Sequence, residues 1–337
     1  MPKRTTLADI ARAAEVSVAT VSMVLNRREG SRVSEATAER VRRAARELGY
    51  VPDVAARTLR TGRSKVLGFI SDEVTVTRFA SGMVRGILEG ADKHGHGVMI
   101  MEIDHRAERL EQAVRTLRAR RVDALLIGFM ASREIEVPLG DWAVPLVAVN
   151  GSVPGATSVL PDEPAAGRAS VEYLLRHGHR RIAMVGHHPA PQPTSLSVNI
   201  WPRMQGIDQA MADAGLDFVA RHDGTDWEPP LGYEGTFNVL NAEPTAILAA
   251  NDRIAFGVYQ ALQERGLRVP DDVSVMSFDD EELAGMLRPG LTTLRLPYSE
   301  MGSMAVDIAL GHAPHLVGQQ QCLLPLGLVE RDSVQTI

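Results

Sequence analysis

From Lys65 onward, short apolar runs alternate with segments patterned for amphipathic helices, and the series runs through twice. The runs "KVLGFIS" (65–71), "GVMIME" (97–102), "VDALLIGF" (122–129) and "PLVAVN" (145–150) make the first series. "RIAMVG" (181–186), "TAILAAND" (245–252) and "VSVMSFDD" (273–280) make the second. Helical spacing fills the gaps over 81–94, 108–120, 163–177, 204–214 and 254–265. Strands that are apolar on both faces, separated by helices, predict parallel sheets covered on both sides. Two such series predict a two-lobed α/β body of two doubly wound parallel sheets, with ligands at the carboxyl ends of the strands. A late strand, "LTTLRLP" (291–297), and a helix over 300–310 are expected to return to the first lobe. Crossing strands would then join the lobes around a cleft that can close.

The residues before Lys65 follow a different plan. Leu7, Ile10, Ala11 and Ala14 fall on one helical face, and Thr6 with Asp9 approximates a capping box. Only Glu15-Val16-Ser17 separates this segment from a second, which begins at the good N-cap Ser17 and turns Val21, Val24 and Leu25 inward. A third helix follows Ser34, with Val41, Ala45 and Leu48 inward and Gly49 as its stop signal. Ile10, Val16, Val21, Val41 and Leu48 are the expected core. This is the arrangement of a small all-α helix-turn-helix domain, whose second helix enters the DNA major groove. Its outward positions are Val18, Ala19, Ser22 and Met23, flanked by Ser17, Thr20 and Asn26, whose polar groups suit phosphates. A three-helix appendage that binds protein is the competing reading.

Charge separates the two parts. Residues 1–65 carry 14 Lys+Arg against 7 Asp+Glu, a net of +7, within a chain whose formal net charge is −6; the remainder is therefore at −13. A basic head on an acidic body predicts that the head alone meets a polyanion.

The run "TLADIARAAEVSVATVSMVLN…VSEATAERVRRAARELGYVPDVAARTLRTGRSKVLGFI" resembles the lactose-repressor (LacI) family of bacterial transcription regulators, and the likeness continues nearly to the C-terminus. "VSxxTVSxVLN", "ELGYVP" and "AARTL" come in the family's order and spacing. The resemblance implies a periplasmic-binding-protein-like body over 63–337, with lobe 1 at about 63–160 and 296–326 and lobe 2 at about 161–290 and 327–337. The head would span 1–51 and a hinge 52–62. It implies Val18 and Ala19 as base readers, and Thr6, Ser17, Asn26, Ser34, Thr37 and Tyr50 as phosphate holders. Two hinge helices, one per subunit, would pair in the minor groove through Ala56 and Leu59, with Leu59 wedged between base steps. Double-stranded, pseudo-palindromic operator DNA and a homodimer follow from the same likeness, since one recognition helix reads too few bases alone. Two departures stand out. Glu15 occupies the turn where Gly or Asn is usual, and Met23 stands where many members have Arg or His.

Polar and aromatic residues gather at strand ends in the body: Asp72 and Phe79 after the first strand, Asn150 after the fourth, Asn251 and Asp279 after later ones. Arg203 opens a helix and Trp227 lies in "TDWEPPLGY". Carboxylates, amides and an Arg suit vicinal hydroxyls, and aromatic faces suit a sugar ring. Helix caps and turns are the other use of such residues. By the resemblance, Arg203, Asn251 and Asp279 match effector positions, and Asn150 stands where the lactose repressor has an Asp. The second Arg and the Thr of the purine-responsive branch are replaced here by Ser197 and Asn199, which favours a sugar effector.

Other function classes find little support. No GxGxxG, GxSxG, HExxH or Walker A motif occurs, so a sugar-modifying enzyme lacks its machinery, and no cofactor is expected. His94-Gly95-His96 and His177-Gly178-His179 lack further ligands at zinc spacing, so no metal is expected; His187-His188 could line the cleft or sit on a loop. Cys322, the single cysteine, fits a buried inert thiol in a reducing cytoplasm. No apolar run approaches the roughly 18–20 residues of a bilayer span, and the N-terminus lacks an apolar export signal. A transport-type sugar-binding protein is therefore not expected, and a cytoplasmic one is.

Overall fold

The computed structural model describes residues 5–25, 33–50, 62–77, 80–316 and 319–337. Asn26, Ala56, Leu59 and Phe79 lie outside the described residues, as does the hinge up to residue 61. The chain divides into two compact units, Met1–Ser64 and Lys65–Ile337.

Three helices build the first unit: α1 (Leu7–Ala13), α2 (Val18–Leu25) and α3 (Glu35–Glu47). Each starts on a hydroxyl that accepts a backbone N–H three residues on. Thr6 Oγ1 accepts from Asp9 N, while Asp9 returns a carboxylate oxygen to Thr6 N at 3.0 Å, a complete capping box. Ser17 Oγ accepts from Thr20 N at 3.1 Å and Ser34 Oγ from Thr37 N at 3.3 Å. Such caps are worth about 1 kcal/mol each. Ile10, Val21 and Val41 are fully buried among Ala11, Ala14, Val24 and the alanines of α3, with Val16 packed at the edge. Leu48 departs from expectation: it is 39% exposed. The helix ends one residue earlier, Gly49 turns left-handed (φ +59°), and Tyr50 packs against the core instead.

Glu15 in the tight turn has φ +51°. For a residue with a Cβ that conformation costs roughly 1–2 kcal/mol. Glu15→Gly is therefore expected to stabilise the head by about 1 kcal/mol, read as a later urea midpoint of its helical signal; an earlier midpoint would contradict strain in the turn.

In the second unit, β1 (Val66–Asp72), β2 (Gly97–Glu102), β3 (Ala124–Phe129), β4 (Leu146–Val149), β5 (Thr157–Pro161) and β11 (Gln321–Leu324) form one sheet, ordered β11-β5-β4-β3-β1-β2 with parallel pairing throughout. The pleat sends Leu67, Phe69 and Leu126 to one face, against α4 (Ser81–Lys93) and α11 (Tyr298–Ala309). Ile70, Leu125 and Ile127 go to the other, against α5 (Ala107–Ala119). The second sheet is ordered β12-β10-β9-β8-β6-β7, from β6 (Ile182–His187), β7 (Ala220–Asp223), β8 (Ala246–Ala249), β9 (Ser274–Asp279), β10 (Thr292–Arg295) and β12 (Gly327–Val329), the last antiparallel. Helices α6 (Glu163–Arg176), α7 (Ile200–Asp213), α8 (Pro229–Leu240) and α9 (Asp252–Glu264) belong to this lobe, with short α10 (Glu282–Met286).

The late strand does not return to the first lobe. β10 pairs with β9 and β12 because Thr292 and Thr293, both fully buried, find their partners there: Thr292 Oγ1 donates to Arg331 O and Thr293 Oγ1 to Asp252. The helix α11 does cross back, followed by β11. The chain thus passes between lobes after β5, after β10 and after β11.

Two glycines set how close α6 and α7 lie. A Cβ on Gly167 would stand 2.3 Å from Arg203 O, and one on Gly206 2.1 Å from Pro164 O. That contact brings the first turn of α6 to the first turn of α7, where the cleft begins.

Candidate functional sites

On the head, Ser17, Val18 and Ala19 are exposed at the start of α2, with Val18 46% accessible. Thr20, Ser22 and Met23 are half-buried. The exposed end of the second helix is small and apolar, suited to thymine methyls rather than to guanine, which calls for an Arg fork. Thr6, Ser17 and Ser34 mark three helix N-termini, where unpaired N–H groups favour phosphates. Thr37 is half-buried beside Ser34, their hydroxyls 2.9 Å apart, and Tyr50 is half-buried against the core.

In the body, a cavity of about 200 Å³ lies between the lobes, at the strand carboxyl ends. Asn150, Arg203, Trp227 and Asp279 all line it, together with Ser132, Glu163, Asn199 and Tyr298. A wider groove of about 900 Å³ shares Asp279 and Tyr298 with it.

Arg203 is its electrostatic centre and is only 4% exposed. Nε and Nη2 donate to the two oxygens of Glu163 at 2.6 and 2.9 Å, Nη2 also to Asp279 at 3.4 Å, and Nη1 to Ala250 O at 2.8 Å. Its guanidinium lies 4.5 Å from the Phe278 ring and 5.7 Å from Trp227. Burial works against its charge, but Glu163 and Asp279 outweigh it and hold the group firmly protonated. Burial pushes Asp279 up to about 7 against the pull of Arg203. Asp252, behind it, is pushed up to about 8 by burial and by Asp279, although Ser277, Thr293 and Glu281 N all donate to it.

Asn150 has φ +56° and bridges the lobes. Its amide donates to Phe129 O and Met130 O at 3.0 and 3.3 Å, and its oxygen accepts from Asn199 at 3.0 Å. Val198 N donates to Ser132 O at 2.7 Å and Glu134 N to Thr194 O at 2.8 Å, completing a seam between the 130s and 190s loops. Ser132 Oγ, in the cavity wall, is buried without a hydrogen-bond partner.

Two residues expected to face ligand are absent from the cavity wall. Asp72 is fully buried beneath Arg133, which donates to it at 2.9 and 2.6 Å, and His105 N, at 2.9 Å. It steadies the loop that carries the seam. Asn251 caps α9 by accepting from Ile254 N and donates to Trp227 O, so it orients the tryptophan. The histidines are equally occupied: His94 lies against Asp307, His96 against Asp123, and His179 between Thr245 and Gln335. His187 and His188 are both buried; His188 meets Trp227 edge-on at 5.6 Å. Among the described residues no three His, Cys, Asp or Glu are placed to hold a metal ion, and no helix is long and apolar enough to cross a membrane.

An exposed second helix on a three-helix head and a cavity between two lobes are the parts of a DNA-binding regulator with a small-molecule-sized cleft. The family profile "Bacterial regulatory proteins, lacI family" matches residues 6–53, and that of a "Periplasmic binding protein-like domain" residues 171–334. The ribose operon repressor of Escherichia coli (strain K12) is 33% identical over 345 aligned residues, covering 97% of this chain and 99% of its own. The lactose operon repressor of the same strain is 32% identical, covering 98% and 90%. A crystal structure of the lac repressor dimer bound to operator and the anti-inducer ONPF superposes with a TM-score of 0.76 at 31% identity, over 99% of this chain and 100% of that one. The chain belongs to the lacI family of bacterial regulatory proteins. It is a sequence-specific DNA-binding transcriptional regulator, not an enzyme, with the architecture of the family's sugar-responsive members.

The raised carboxylates give a pH dependence. Between about 4 and 8 the folded chain retains protons on Asp279 and Asp252 that the unfolded chain releases. Stability contributed by these groups therefore falls as pH rises through that window. Urea unfolding of the body is expected to show a later midpoint at pH 5.5 than at pH 8, with a smaller difference in Asp252→Asn; an unchanged difference would place the dependence elsewhere.

Proposed function

We propose that the chain is a homodimeric repressor that binds a pseudo-palindromic operator and is controlled by a small sugar held between its lobes. In this reading residues 1–51 form the DNA-binding domain, 52–62 the hinge, and 63–337 the effector-binding and dimerisation body. Val18 and Ala19 meet base edges, with Thr20, Ser22 and Met23 beside them, and Thr6, Ser17, Asn26, Ser34, Thr37 and Tyr50 hold phosphates. Ala56 and Leu59 belong to hinge helices that pair in the minor groove. Asn150, Arg203, Trp227 and Asp279 hold the effector.

The observation that carries this reading is the cavity between the lobes, with the polar groups set in its wall. It offers one guanidinium, carboxylate and amide groups and an indole face, and its seam crosses from lobe to lobe. A cavity of about 200 Å³ lies below the roughly 300–1,000 Å³ of drug-sized sites, a size suited to a monosaccharide. The ribose operon repressor, whose name states a sugar system, is similar over almost the full chain.

The test is operator binding by fluorescence anisotropy, with operator fragments selected from random duplexes and a panel of monosaccharides added. Wild type is expected to change operator affinity with one sugar. Asp279→Ala should need at least tenfold more of it, through loss of charge-assisted bonds worth about 1.5–3 kcal/mol, while binding operator within threefold of wild type. An unchanged sugar response in Asp279→Ala would overturn the assignment of the cleft.

A further inference from the structure

Arginine in a sugar site can serve two purposes: it can clamp an anionic substituent through its fork, or it can donate singly to a hydroxyl. The donor count of Arg203 decides between them. A guanidinium has five N–H groups. Nε and both Nη2 hydrogens go to Glu163 and Asp279, and one Nη1 hydrogen goes to Ala250 O. One N–H is left for a ligand. That suffices for a hydroxyl and not for the two parallel bonds by which Arg grips phosphate or carboxylate.

Nor can the fork easily be freed. Glu163 is 2% exposed, and both its oxygens are spent on Arg203. It begins α6, which Gly167 and Gly206 allow to lie close against α7, so the backbone that carries the carboxylate is held beside Arg203. Two other arginines are ion-paired, though through fewer of their N–H groups. In the adjoining groove Arg253 is bound to Glu228 at 2.6 Å, and Arg295 to Asp280 at 2.7 Å. Asp280 is also held by Arg331 at 2.6 Å. Glu281, Glu282 and Glu300 add further carboxylates to the groove wall. In the walls of both the cavity and the groove, carboxylates outnumber arginines.

We infer that Glu163 sets the charge class of the effector: by filling the fork of Arg203 it restricts the cleft to an uncharged, polyhydroxylated ligand and excludes phosphorylated or carboxylated sugars. This rests on the cleft being the sugar site. Glu163 acts through Arg203 and is a specificity-determining residue. The lone Nη1 hydrogen, the Asp279 carboxylate and the unpartnered Ser132 hydroxyl are among the groups able to meet ligand hydroxyls.

Calorimetry on the full-length protein tests it with matched pairs: D-ribose and D-ribose 5-phosphate, D-glucose and D-glucose 6-phosphate, D-galactose and D-galacturonate. In wild type, any neutral sugar that binds is expected to do so at least 100-fold more tightly than its anionic partner. In Glu163→Gln, which keeps the shape of the side chain, millimolar inorganic phosphate should raise Tm by several degrees, with no such rise in wild type or in the double variant Glu163→Gln/Arg203→Met. Wild type binding a phosphorylated or carboxylated sugar as tightly as the neutral one overturns the inference, whether or not the variant folds. A folded Glu163→Gln with no phosphate response overturns it too. Failure of the sugar reading looks different: no neutral sugar binds wild type, and the phosphate response of Glu163→Gln alone then decides the role of Glu163.

Discussion

A buried guanidinium is tolerable only with its counter-charges in place, and the second lobe is arranged around supplying them to Arg203. Glu163 comes from the first turn of α6 and Asp279 from the end of β9, and the two share its Nη2 group. Removing one partner of a buried ion pair strands a charge at a cost of about 3–5 kcal/mol. The triad therefore binds helix to helix and helix to sheet at the cleft floor. The glycine contact between α6 and α7 is part of the same construction, since a side chain there would lift Glu163 away. Burial, and then the neighbouring carboxylates, raise proton affinity at Asp279 and at Asp252 behind it.

The seam above this floor belongs to both lobes. Asn150 to Asn199, Ser132 to Val198 and Glu134 to Thr194 join loops that would part if the cleft opened. Asp72, through Arg133, ties the first-lobe side of the seam to the end of β1, the strand that follows the joint to the head. A ligand filling the cavity would bear on these same loops, so closure and the posture of the first lobe are open to a single control. A ligand can shift such an equilibrium only by as much as it prefers one state, and a cavity walled by both lobes gives it contacts that a parted cleft lacks.

What was legible in the sequence follows the range of the interactions. Thr6 with Asp9, Ser17 and Ser34 cap helices through bonds to residues three positions on, and each could be read from its neighbours. The central strands were legible because burial on both faces leaves apolar runs. Strands β7, β11 and β12 were not, since none is buried along its length, and β5 was missed with them. Helix α8 hid behind Pro229-Pro230, which reads as a turn and here opens a helix, where missing N–H groups cost nothing. Leu48 fitted the helical period but fell just past the helix end. The rule that ligands sit at strand carboxyl ends picked Asn150 and Asp279, which line the cavity together with Arg203 and Trp227. It also picked Asp72 and Asn251, whose polar atoms serve the fold. Glu163 escaped because its partner lies 40 positions away and only the packing of two helices joins them.

Coupling between cleft and DNA is the central claim, and thermodynamic reciprocity measures it directly. The affinity of the effective sugar is determined by calorimetry for free protein and for the operator complex, and operator affinity with and without that sugar. The two ratios should agree within error and differ from one by roughly 5- to 150-fold. Equal sugar affinity with and without operator, in a protein that binds both, would contradict the account.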